Sequence, residues 1–214
     1  MWGLILKDLY TVRKSLAYTA VIVAVFGVVY SGSSAAFGVV GAMASMMVIS
    51  VSSTTISYDE FYHWDRYAAA LPISRGRVVA AKYLLILLMA AAAMLLCLAM
   101  GGLLGWLLAG EVQWAELLAS AGASLAVGLL GAAVVVPLYY RFGVQQCRFA
   151  LVAVYGIPAL AVVLWVRVTG FAPTEAQLEA LLQGLALAAP VICLAALGIS
   201  WGISTRVYQK KELK

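Results

Sequence analysis

One short pattern in the chain matches an enzyme signature. Gly198-Ile-Ser200-Trp-Gly202 fits G-x-S-x-G, in which a serine activated by histidine attacks an acyl carbon. That chemistry needs a strand-to-helix elbow to expose the serine and a histidine within reach. Here the pattern lies in an apolar run that reads as helix, and the only histidine, His63, sits in a distant polar stretch. The match is read as chance. The chain has no H-E-x-x-H for a membrane metalloprotease and no G-x-x-x-x-G-K-[ST] loop to hold ATP. Cys97, Cys147 and Cys193 lack metal-like spacing, and Cys97 and Cys193 fall within apolar runs, so they are expected to be small packed side chains. No ionisable residue lies near the centre of an expected span, which counts against an ion-coupled carrier or proton pump.

Polar chemistry is concentrated instead in one wet stretch, Ser57 to Arg77, between two runs too apolar to sit in water. Ser57 and Glu60 have capping-box spacing, and Asp59 would favour the positive end of a helix starting there. Pro72 should stop that helix near Ala70, because the residue before proline is pushed away from α geometry. Phe61, Trp64, Ala68 and Leu71 fall on one stripe, with Asp65 and Arg66 flanking it. Ser74 can cap the next helix, which carries Arg75, Arg77 and Lys82. An amphipathic helix clamped between two spans can press on a partner and pass its movement to both. An ordinary loop with its aromatics anchored at lipid headgroups is the other reading.

These elements belong to a membrane protein. The 214 residues are 65% hydrophobic and 11% charged, with a mean hydropathy of +1.02. A soluble domain has about 25% charged residues. The opening does not read as a cleavable signal, because apolar runs recur to the end. The net charge of +5 is scattered over short connections, which suits membrane topology and excludes nucleic acid as a partner.

The expected fold is an all-α integral membrane bundle of six transmembrane helices in a single domain. Met1 to Lys14 places Trp2, Ile5, Leu6, Leu9 and Val12 on one face, with Lys7, Thr11 and Lys14 opposite, as an interfacial helix lying against lipid phosphates would. Spans are expected at about 15–30, 35–56, 83–109, 117–138, 149–168 and 180–204, with 57–77 as a polar connection. Gly101-x-x-x-Gly105 is a possible close-packing face of the third span. Pro158 should bend the fifth. Thr174 to Gln177 forms another capping box. A helix from Thr174 to Thr205 would be about 48 Å at ~1.5 Å per residue, longer than the ~30 Å hydrocarbon core, so bending at Gly184 or Pro190 or a flat outer segment is expected.

The second span is the most polar. Ser45, Ser50, Ser52, Ser53, Thr54 and Thr55 either line an aqueous path or bond to carbonyls one turn back. Met43, Met46, Met47 and Ser50 are candidates for lining a translocation path, since flexible methionines suit varied apolar cargo as well as core gaps. All Lys and Arg except Arg167 fall on one side of this topology. The positive-inside rule places that side, with both termini, in the cytoplasm.

The run Asp59-Glu60-x-x-x-Trp64, followed by Leu71-Pro72-Ile73-Ser74-Arg75 and Val78-Val79-x-x-Lys82-Tyr83-Leu84, resembles the permease subunits of ABC-2-type ATP-binding-cassette transporters. It is similar especially to the small six-span bacterial branch that includes exporters of amphipathic peptides such as phenol-soluble modulins. The resemblance implies a permease of the bacterial cytoplasmic membrane that is not itself an enzyme. It also implies a homodimer or a pair with a sister permease, served by two separate ATPase subunits that bind ATP and Mg, with no cofactor in this chain. It makes the helix between spans two and three the coupling helix, with Asp59, Glu60, Phe61, Trp64, Asp65 and Arg66 seated on the ATPase. It assigns the interfacial role to Met1 to Lys14, with Trp2, Ile5, Leu6, Lys7 and Leu9. The connection between spans five and six is shorter than the re-entrant helical pair of larger ABC-2 exporters. The expected function is export of amphipathic peptides or hydrophobic compounds; a non-transporting sensor or assembly subunit is the alternative.

Overall fold

In hydrocarbon each backbone N–H and C=O must be bonded within the protein, so a chain this apolar forms helices or a closed barrel. The computed structural model describes residues 2–30, 36–71, 74–109, 114–144, 146–147, 156–157, 160–161, 164–168 and 175–210, and these are almost wholly helical. The helices are α1 (Trp2–Tyr30), α2 (Ala36–Phe61), α3 (Trp64–Ala70), α4 (Arg75–Leu104), α5 (Trp114–Phe142) and α6 (Glu175–Lys210). A π-helical turn, Gly105–Ala109, extends α4. Among the described residues, five helices are long and apolar enough to cross a membrane. Most of the expected fifth span, Pro158 included, lies outside the described residues, as does Thr174.

α4 packs against α1, α2, α5 and α6. One cluster joins Val48 and Ile56 of α2, Val79, Tyr83 and Ile86 of α4, Val135 and Val136 of α5, and Leu197 of α6. A second joins Ile5 and Val12 of α1 to Val51 of α2 and Leu85 of α4. Lipid tails are as apolar as these side chains, so close packing and hydrogen bonding must hold the helices together. Small residues permit that approach where α2 crosses α5. A Cβ placed on Gly128 would stand 3.2 Å from the Ser45 backbone. Gly101 is similarly crowded by Leu117 of α5. Outward positions such as Val21, Val25, Val29, Leu95 and Ile199 are exposed and apolar, as a lipid-facing surface requires.

Two boundaries differ from the sequence expectation. α1 runs unbroken from Trp2 to Tyr30, so no separate interfacial helix ends near Lys14. Its first turns pack inward through Ile5 and Val12, while Trp2, Leu6 and Leu9 are exposed. α2 continues through Ser57 to Phe61, so Ser57 caps nothing. α6 carries Gly184 and Pro190, the two positions where a bend is expected, within its length. α3 does stop at Ala70, and Ser74 is the residue before α4, although its hydroxyl makes no cap bond.

Candidate functional site

All the described long helices bring one end to the same polar face: the start of α1 and α4 and the close of α2, α5 and α6. There α2 turns into α3 through an elbow. The Tyr62 amide still bonds to Tyr58 O at 2.9 Å, but His63 adopts φ 52°, ψ 38° and breaks the helix. Left-handed geometry costs a residue with a Cβ about 1–2 kcal/mol. Aromatic pairs flank the turn. Tyr58 and Tyr62 stack at 6.1 Å, Phe61 meets Tyr62 edge-on at 5.1 Å, and Trp64 stacks on Tyr67 at 6.5 Å. Phe61 is nonetheless 76% exposed, Tyr67 70% and Tyr62 65%. Of the predicted stripe, only Ala68 and Trp64 turn inward; Phe61 and Leu71 face out. Asp65 and Arg66 belong to α3, and their side chains lie outside the described set.

Behind the elbow sits a cluster of two cations and two anions. Lys82 of α4 contacts Asp8 of α1 at 2.8 Å and Asp59 of α2 at 2.6 Å. Lys7 of α1 reaches Asp59 at 2.6 Å and Asp8 at 3.1 Å. The Lys82 and Asp8 side chains are 5% and 4% exposed. With both carboxylates at ion-pair distance, Coulomb attraction holds the buried Lys82 ammonium. Lys7 Nζ also lies 4.1 Å from the centre of the Trp64 ring, a cation–π contact that brings α3 into the cluster. Lys7 thus faces protein rather than lipid phosphates.

The neighbouring carboxylate points elsewhere. Glu60 Oε2 accepts the Val144 N–H at 2.9 Å, where the chain resumes helical geometry after α5. This satisfies a donor that a helix start leaves unpaired, and it places negative charge at that start. Gly143 makes the turn with φ +78° and donates to Tyr139 O at 3.0 Å. Ser57, the intended partner of Glu60 in a capping box, instead donates to Ser53 O at 2.7 Å within α2. Cys147 lies buried nearby. Burial pushes its thiol pKa up, and the Glu60 charge adds to the rise.

Deeper in the bundle, α4, α5 and α6 share a hydroxyl network. Pro137 has no N–H, which leaves the Ala133 carbonyl of α5 without its helical partner. The Ser200 hydroxyl of α6 donates to that carbonyl. Its proton being so placed, the contact at 2.6 Å requires Tyr83 to donate to Ser200, and Ser204 to donate to the Tyr83 oxygen at 2.9 Å. Ser200 is therefore a buried helix fastener, in keeping with its expected place inside a helix.

Along α2, a groove of about 660 Å³ opens beside α5, lined by Ser45, Met46, Ser50, Ser53 and Val127 among others. Met46 and Ser50 border it, whereas Met43 packs against Val23, Val40, Cys97 and Ala121 and Met47 is buried. The hydroxyls bond backward along their own helix, Ser45 to Ala42 O, Ser50 to Met47 O, Ser52 to Val48 O and Ser53 to Ile49 O.

Sequence reasoning passed over Asp8 and the inward role of Lys82. A signal existed: Asp8 is the sole acid before residue 59, and Lys82 interrupts the apolar run Val78 to Leu88. Lone charges in such settings need partners. Glu60 bonding to a residue 84 positions away had no comparable trace.

A family model described as ABC-2 family transporter protein matches residues 3–209. No curated protein matches the chain.

Proposed function

The chain belongs to the ABC-2 family of transporter proteins, and on that premise we propose that it is the permease subunit of an ATP-driven exporter, coupled to a separate ATPase through the α2–α3 elbow. Family and helices together make it a multi-pass membrane protein of the transport class. The observation that carries the coupling assignment is the exposure of Phe61, Tyr62 and Tyr67 on an elbow whose inner side is bound to α1 and α4. Aromatic side chains exposed on a braced support suit a partner's groove, because they bring large contact area at low entropic cost.

In this reading an ATPase dimer, which carries ATP and Mg, closes on ATP and pushes the elbow. α2 and α4 tilt, and access switches from one side of the membrane to the other. The elbow must bind the two ATPase states with different affinity, since equal binding shifts no equilibrium. The basic residues gathered on the elbow's side support a cytoplasmic placement for it and for both termini, in a bacterial cytoplasmic membrane. A second permease, identical or sister, completes the path. The apolar α2 groove with its Met46 and Ser50 lining suits an amphipathic peptide or hydrophobic compound as cargo.

The test is reconstitution in lipid vesicles with a candidate cassette ATPase, comparing the natural chain with Phe61→Ala plus Tyr62→Ala. The variant is expected to insert normally yet lose copurification and coupled ATP hydrolysis. Unchanged binding and hydrolysis would reduce the elbow to a headgroup anchor.

A further inference from the structure

We infer that Asp59 and Glu60 are positioning residues that carry the elbow's movement into the bundle, and that neither serves as a contact to the partner. The inference rests on the ATPase-coupled reading above. The two are adjacent at the close of α2, where successive side chains point about 100° apart. Asp59 reaches α1 and α4 through Lys7 and Lys82, both at 2.6 Å. Glu60 reaches the segment after α5 through the Val144 amide at 2.9 Å. Both residues line a small pocket of about 20 Å³, together with Ile56, Val78, Tyr139, Tyr140 and Tyr208. That volume is enough for about one water.

The arrangement answers a mechanical need. The elbow turns at His63, outside helical geometry, and a push there would be absorbed as bending if the end of α2 were loose. Asp59 fastens that end on one side and Glu60 on the other, so a displacement of α3 reaches α1, α4 and the region beyond α5 together. The Glu60 link is made to a backbone amide, and Gly143 permits the approach: a Cβ there would stand 3.2 Å from Glu60 Oε1. A side chain engaged in this way acts through geometry, whereas a docking contact would act through affinity.

The experiment uses the full permease, with Cys97, Cys147 and Cys193 replaced by alanine, and its ATPase in vesicles, with spin labels at Met46→Cys and Val127→Cys on the two walls of the α2 groove, read before and after trapping with ATP and vanadate. Glu60→Ala should keep ATPase copurification and basal hydrolysis but lose at least half of the change in label separation. Glu60→Gln should restore it, because the amide carbonyl accepts the same Val144 N–H. Asp59→Asn with Lys82→Gln removes one charge of each sign and should repeat the Glu60→Ala result. Loss of ATPase binding in Glu60→Ala would overturn the inference by making Glu60 a contact, and so would an unchanged separation. If the natural chain binds no ATPase, the coupled reading itself falls, an outcome distinct from either.

Discussion

Ser200 on α6 completes the hydrogen bond that Pro137 denies to its own helix, donating to the Ala133 carbonyl four residues before the proline. The two residues form one device across a helix interface. Ser200→Ala should therefore leave a buried carbonyl unpaired and cost about 1–3 kcal/mol. Adding Pro137→Ala returns an N–H to α5 and should recover part of the loss. Thermal unfolding of the purified protein in detergent checks both, and equal losses in the single and double variants would contradict the pairing.

The charge cluster makes a prediction about balance. Lys82→Met leaves Asp8 and Asp59 facing only Lys7 and should destabilise by about 3–5 kcal/mol, the usual cost of stranding a buried charge. Lys82→Met with Asp8→Asn restores neutrality and should recover most of that. The comparison is again a melting midpoint, and a double variant no better than the single would show that shape, not charge, holds the site.

Gly143 should resist substitution. Alanine there must adopt φ near +78° and push against Glu60, at a cost of about 1–2 kcal/mol. Glu60→Ala in the same background removes the clash but leaves the strain, so it should relieve only part of the cost.

Cys147 offers a pH readout. With its pKa raised, its thiolate fraction at neutral pH is below that of an ordinary thiol, so maleimide labelling should be slow and should rise only at more alkaline pH. Glu60→Gln removes the charge that contributes to the rise and should shift the labelling profile toward lower pH. A variant with Cys97 and Cys193 replaced by alanine isolates the signal, and an unmoved profile would place Glu60 too far away to matter.

Much of the architecture was readable because hydrocarbon leaves so few choices. Hydropathy pointed to helices of membrane-spanning length, five of which stand among the described residues, and α3 ends at Ala70, where the sequence places its stop. The errors share one cause. A three-residue Ser57 to Glu60 spacing suits both a helix start and one turn of a continuing helix, and only the tertiary partners of Glu60 decide. The start of α1 has an interfacial pattern, an apolar face with Lys7, Thr11 and Lys14 opposite, but Asp59, 52 positions away, supplies the counter-charge of Lys7. Pairings of that separation leave no local pattern.

The backward bonds along α2 leave a chemical asymmetry in the groove. Ser45, Ser50, Ser53 and Ser57 have each committed a proton to a carbonyl of their own helix, so what they present sideways is oxygen lone pairs. These four hydroxyls offer acceptors and withhold donors. A solute rich in N–H groups finds complementary chemistry in them, and a bare carboxylate does not.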